Sequence, residues 1–289
     1  MKFILLLLLF ITTAFAQDLE KVSLQLKWKY QFQFAGFIAA KEKGFYKDIG
    51  IDVELLEYSQ STDTIKDIQE DKIQFGVSDS ALILEAVKGQ PVVAIMAIYQ
   101  KSPYVMMGLK SSNINTLEDV NGKKLAIYDD INGQAISSML RINNIRFVKQ
   151  PITDKLKKLK SKEIDLAIAY ISNEPFLAKE MGLDISIIDP SDYGFERYGD
   201  ILFTLQDTID KRPDLVKKMH KASKKGFEYA FTHIDEMVDI IYDKYNTQNK
   251  SKDALLYEAN ILKKMAGLGK NFGYLDKEKV RSIAYIYSY

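Results

Sequence analysis

The residues best equipped for recognition in this chain are aromatic and amide side chains gathered in short segments. Trp28, Tyr30, Gln31, Phe32, Gln33 and Phe34 stand close together near the N-terminal end. An aromatic face suits a flat heterocycle, and a side-chain amide can both donate to and accept from ring nitrogens. Phe32 and Phe34 read equally well as core residues. Ser78-Asp79-Ser80 combines a hydroxyl, a carboxylate and the free amides of a helix start, and plain N-capping explains only one of the three. Asp129-Asp130-Ile131-Asn132-Gly133-Gln134 has the same strand-to-helix character. There Asn132, Gly133 and the helix start suit a phosphate or carboxylate, while the two aspartates oppose it. Tyr170, Asn173 and Glu174 form another group, with Pro175 fixing where a helix begins. In Asp192 to Asp200, Tyr193 and Tyr198 are expected to line a cleft wall, a packing plug between lobes being the competing reading.

Catalytic sets are poorly supplied by comparison. His220 and His233 are the only histidines, they lack metal-ligand spacing, and no nucleophile-elbow sequence is present. Both read as ordinary residues of a helical tail. The chain has no cysteine, so no disulfide, thiolate nucleophile or thiolate metal ligand is available. No catalytic residue, metal or cofactor is therefore expected. Basic and acidic residues number 40 and 39, a balance that argues against a nucleic-acid or anionic-membrane surface. The basic run Asp154 to Lys162 has Leu156 and Leu159 at helical spacing beneath it and reads as a solvated helix face.

The recognition groups fall at the ends of alternating strand and helix patterns. Val22 to Trp28, Ile51 to Leu56, Ile73 to Val77 and Pro91 to Tyr99 read as strands, with helices over Ala35 to Tyr46, Ser61 to Glu70 and Asp79 to Lys88. A second series follows: strands Lys124 to Tyr128 and Ile164 to Tyr170, and helices Gln134 to Arg141, Thr153 to Lys160 and Asn173 to Met181. From Asp210 onward the pattern is helical. Such alternation predicts mostly parallel sheets in two α/β lobes, crossed near Pro103 to Leu109 and Ile201 to Leu205. Lobe 1 is expected over 17–107 and 205–289 and lobe 2 over 108–204, with ligand between them at the carboxyl ends of the strands. Met1 to Ala16 reads as a signal peptide: Lys2 is the basic start, Phe3 to Ile11 is apolar, and Ala14-Phe15-Ala16 is the cleavage site. A mature start at Gln17, no lipid anchor and a periplasmic location are the expectation.

In this order the segments LKWKYQFQFAGFIAAKEKGFY (26–46), FGVSDSALILEAVKGQPVVAIMAIYQKSP (75–103), LEDVNGKKLAI (117–127), IDLAIAYISNEP (164–175) and DYGFERYGDILFT (192–204) resemble the thiamine-pyrimidine synthase-like branch of periplasmic solute-binding proteins. The resemblance implies a type II periplasmic-binding-protein fold with two crossover strands and a helical C-terminal tail. It implies Trp28 as a stacking platform, Tyr170 and Asn173 as walls, and Glu174 as acceptor for an exocyclic amino group. The synthases of that branch spend a histidine, bind pyridoxal phosphate through a lysine and carry a cysteine-rich iron motif. This chain has Phe34, Ser78 and Phe195 to Gly199 at the corresponding places. The expected function is capture of a small planar heterocycle, a pyrimidine precursor of thiamine, by a monomer serving an ABC permease. The alternatives are a ligand-sensing module for a membrane signalling protein and, against the missing residues, the synthase itself.

Overall fold

A computed structural model describes residues 19–269 and 272–287; the expected signal peptide and Gln17 lie outside them. The strands are β1 (Glu20–Gln25), β2 (Ile51–Leu56), β3 (Phe75–Ser78), β4 (Val92–Ala97), β5 (Tyr104–Leu109), β6 (Lys124–Ile127), β7 (Val148–Pro151), β8 (Leu166–Tyr170), β9 (Ile185–Ile188) and β10 (Ile201–Leu205). The helices are α1 (Ala35–Glu42), α2 (Thr64–Gln69), α3 (Ala81–Val87), α4 (Ile131–Ile142), α5 (Lys155–Lys160) and α6 (Glu174–Glu180), then α7 (Gln206–Lys211), α8 (Pro213–Thr232), α9 (Ile234–Lys244), α10 (Lys252–Ala266) and α11 (Lys277–Ile286).

Two five-stranded sheets result, ordered β2-β1-β3-β10-β4 and β7-β6-β8-β5-β9. In each, four of the five strands run the same way, the mostly parallel arrangement that the alternation predicts, and one strand is reversed. β10 runs antiparallel to β3 and β4, and β5 runs antiparallel to β8 and β9. The cause is that each strand entering from the other lobe arrives from the opposite direction. β5 lies wholly in the second sheet and β10 wholly in the first, so the expected lobe boundaries at 107/108 and 204/205 cut through strands. The chain passes between sheets over 98–103 and 189–200, and these two connections are hydrogen-bonded to each other, Ile98 N to Asp200 O at 2.7 Å and Gly199 N to Tyr99 O at 2.9 Å.

The first lobe owns the largest core, in which Leu24, Val53 and Phe75 from the sheet meet Phe34 and Phe37 and, from the helical tail, Phe227, Phe231, Ile241 and Leu262. The aromatic-rich tail packs on this lobe chiefly through α1, and its buried side chains remove apolar area from water. The second lobe has separate cores on the two faces of its sheet. Helix α11 spans both bodies, because Ile283 joins a cluster with Ile201 and Phe203 while Ile286 joins one with Leu125 and Ile136.

Helices α1 and α8 cross at backbone contact. A Cβ at Gly226 would stand 2.0 Å from the carbonyl oxygen of Gly36. Gly226→Ala must therefore push the helices apart and should cost about 1–3 kcal/mol, as overpacking does. Urea unfolding followed by far-ultraviolet circular dichroism checks this, and an unchanged midpoint would contradict the close crossing.

Candidate functional site

Three chain segments meet where the first sheet faces the second lobe. Lys27 follows β1, Asp79 follows β3, and Asp200 precedes β10, so each sits at the same end of the sheet. Lys27 Nζ lies 2.9 Å from Asp79 Oδ2 and 3.1 Å from Asp200 Oδ1. Asp200 is completely buried and also accepts from Gln33 Nε2 at 2.8 and 3.0 Å. Burial alone would push the Lys27 pKa down, but the charges of Asp200 and Asp79 hold it well above the ordinary lysine value. Burial drives Asp200 above the usual carboxylate range despite Lys27. For Asp79 burial also works upward, yet Lys27 and the Ala81 amide outweigh it and the carboxyl titrates below its ordinary value.

The second lobe reaches this cluster through two elements. Asn132, in the first turn of α4, donates from Nδ2 to Asp79 Oδ2 at 3.1 Å and accepts from Arg197 Nη1 at 3.2 Å. Tyr170, at the end of β8, receives Gln33 Nε2 at 3.5 Å on its hydroxyl and has the Lys27 ammonium 5.8 Å from its ring centre. Tyr104 packs edge-on against Tyr170 at 4.8 Å and lies 5.6 Å from the Arg197 guanidinium. The arrangement is a two-sided polar seam with aromatic walls. It can present a carboxylate to an amino group and ring faces to a flat molecule once the lobes part.

Of the residues singled out from sequence, Asp79, Asn132 and Tyr170 fall in this seam. Gln31 is buried beside it, donating to Gln33 Oε1 at 2.6 Å, and Ser78 is half-buried at the end of β3. The others go elsewhere. Phe34 is wholly buried in the first core, so the packing alternative holds for it. Trp28 is 47% exposed and stacks on Tyr58 with centroids 5.8 Å apart, which leaves only one ring face open. Gly133 serves the backbone: a Cβ would meet the Tyr128 carbonyl oxygen at 1.9 Å, and its amide donates to Asp130 Oδ1 at 2.9 Å. The chain's own carboxylate thus takes an amide that a phosphate would have used. Asn173 precedes α6 without capping it through its side chain.

Glu174 is the main departure. Its Oε2 accepts from the Tyr170 amide at 2.7 Å and its Oε1 pairs with Lys155 at 2.5 Å, so both oxygens are engaged inside the second lobe. Tyr193 accepts from the Leu117 amide at 3.0 Å, within the same lobe. Tyr198 is buried, accepts from the Asp276 amide at 2.7 Å and packs under Lys279. The two tyrosines therefore act in packing, while their neighbours Arg197 and Asp200 reach the seam. Gln33 stands in the first recognition segment and Arg197 and Asp200 in the Asp192 to Asp200 stretch, whereas Lys27 and Tyr104 were not singled out as site residues. The only sequence signal for them was proximity to segments already marked.

The two-sheet topology with antiparallel returning strands is that of type II periplasmic binding proteins. The periplasmic aliphatic sulphonate binding protein SsuA from Escherichia coli matches with a TM-score of 0.68 at 12% identity, covering 83% of each chain. The chain belongs to the NMT1/THI5-like family, whose model matches residues 31–237. Relatives include the riboflavin-binding protein RibY of Chloroflexus aurantiacus, 23% identical over 77% of this chain and 66% of that protein, just under two thirds of its length. They also include a 4-amino-5-hydroxymethyl-2-methylpyrimidine phosphate synthase from Legionella pneumophila, 23% identical over 77% of this chain and 73% of the synthase. The formylaminopyrimidine-binding protein of Halalkalibacterium halodurans is 22% identical over 91% of this chain and 83% of its own.

Two outcomes follow from these contacts. Glu174→Gln leaves Lys155 buried without its carboxylate and should cost about 3 kcal/mol of stability, read by chemical unfolding; an unchanged midpoint would contradict the pairing. The depressed Asp79 pKa contributes stability that is complete above the unfolded-state value near 4 and is lost as pH falls through the native one. Asp79→Asn should therefore flatten the part of the acid limb that Asp79 supplies. Melting profiles of both proteins from neutral to acid pH test it, and parallel profiles would count against it.

Proposed function

We propose that this chain is an extracytoplasmic solute-binding protein that closes its two lobes on a small planar, amino-bearing heterocycle of the pyrimidine class and delivers it to an ABC permease. The observation that carries the reading is the seam itself. A buried carboxylate, Asp79, is held by Lys27 from its own lobe and by Asn132 from the opposite lobe, so whatever replaces Asn132 must be a hydrogen-bond donor of similar reach. An exocyclic amino group is such a donor, and Tyr104 and Tyr170 offer ring surfaces beside it. Relatives named for binding riboflavin and formylaminopyrimidine support a flat nitrogen heterocycle. A monomer is expected to suffice, since the seam is built by one chain.

We assign binding rather than synthesis, because the residues present do not fit the synthase cofactors. Phe34, at the place of the donor histidine, is sealed in the core. Ser78 has no amine with which to hold pyridoxal phosphate. The amine of the seam, Lys27, is kept protonated by two carboxylates and is no nucleophile. No cysteine exists to hold iron.

Calorimetric titration of aminopyrimidines, formylaminopyrimidine and riboflavin tests the reading. At least one aminopyrimidine should bind the wild type, and Asp79→Asn should weaken it by roughly 10- to 100-fold, the value of a hydrogen bond to a charged group. If no member of the panel binds, or if Asp79→Asn binds each as tightly, the assignment fails. Turnover of pyridoxal phosphate with iron to a pyrimidine product would overturn the non-enzymatic part.

A further inference from the structure

Arg197 is 3% exposed, and its guanidinium meets only neutral acceptors: Asn132 Oδ1 at 3.2 Å, the Tyr287 hydroxyl at 3.3 Å and Ser102 Oγ at 3.4 Å. The other strongly shielded cations differ. Lys27, Lys155, Lys250 and Lys279 each have a carboxylate within 4 Å, whereas among the described residues none lies that close to Arg197. A buried charge without a counter-charge is costly unless something else supplies one.

A second observation falls at the same place. A cavity of about 10 Å³ lies between the two inter-lobe connections, with Ser102, Ser191 and Arg197 in its lining. Ser191 Oγ is, among the described residues, the one buried side-chain polar atom with no hydrogen-bond partner. Lys101 and Lys279 also border the cavity. Two acids also border it: Asp189, whose Oδ1 accepts from the Ser191 amide at 2.9 Å, and Glu196, 3.5 Å from Lys279, so the lining carries three cations against two carboxylates. An orphan hydroxyl in the same lining as a guanidinium that has no carboxylate in contact suits an acceptor with negative charge, and the space admits one particle of about water size.

We propose that the hinge holds a small monovalent anion of the halide class, bound by Arg197, Ser102 and Ser191. Ser102 belongs to the first connection and Ser191 and Arg197 to the second, so the anion ties the two together and its occupancy biases lobe movement. The site shares Arg197 with the solute seam but does not depend on the solute's identity.

The test is a thermal melt in sodium bromide against sodium gluconate at equal ionic strength, with a bromide-soaked crystal. Bromide should raise the wild-type Tm by about 2–4 °C, and Arg197→Gln should abolish the increment. Ser191→Ala keeps the test decisive if the arginine variant does not fold: it should leave the protein at least as stable in gluconate, because the orphan hydroxyl is gone, and should lose most of the bromide increment. An anomalous peak between Arg197, Ser102 and Ser191 is expected. Equal melting temperatures in the two salts, an increment retained in Ser191→Ala, or a water alone at that place would overturn the proposal.

Discussion

The placement of Lys27 between Asp79 and Asp200 is the interaction on which the face between the two lobes depends. Removing an ammonium and two carboxylates from water costs several kcal/mol per ion, and their attraction offsets it only when the remaining lone pairs are also satisfied. Here they are. Gln33 completes Asp200, and the Ala81 amide together with Asn132 completes Asp79. The three ions come from the segment after β1, the β3–α3 turn and the last residue before β10, so the cluster holds three distant segments together at one end of the sheet. Because Asn132 belongs to the other lobe, the same cluster is also where the two lobes find each other.

The tyrosines extend that logic. Tyr99, buried in the connection beside the cluster, donates its hydroxyl to the Gln33 carbonyl at 2.6 Å, fixing the loop that carries the amide to Asp200. Glu258 reaches from α10 to the Phe32 and Gln33 amides at 3.3 and 3.0 Å and is itself paired with Lys250 at 3.2 Å. The loop after β1 is thus pinned from the helical tail on one side and from the hinge on the other. A tail that read from sequence only as helical has a direct part in holding the seam.

The alternation of apolar runs and turn residues made most strands and helices legible, and Ile51 to Leu56 fell in place to the residue. β7 escaped because Val148–Pro151 is an exposed edge with little apolar content, and β9 because four residues at an edge give no period to read. β5 was visible only as a crossing, since strand direction is a property of the partner and not of the strand. Of the strand-end groups, Asp79, Asn132 and Tyr170 come together in the seam. Lys27 was illegible for a physical reason: in an alternating strand it sits at a polar, outward position, and only the arrival of Asp200 from far along the chain makes that position interior. Glu174 failed in the opposite sense. Its place after a strand suggested a ligand, whereas Lys155, on a helix read as solvated, turns inward to claim it.

The balance of polar and apolar contacts between the lobes bears on how they separate. Directly across the seam the contacts are mostly hydrogen bonds: Asn132 to Asp79, the long Gln33 to Tyr170 contact, and Tyr257 to the Ile171 carbonyl at 3.1 Å, with one ring pair between Phe176 and Tyr257. Water replaces such partners at a net cost of only about 1 kcal/mol each. Helix α11 is different, because its last turn buries Ile283 with one lobe and Ile286 with the other. If the lobes part as rigid bodies about the paired connections, α11 must leave one of them or bend, and the apolar area it uncovers is not repaid by water. The resistance to opening therefore resides less in the seam than in this helix.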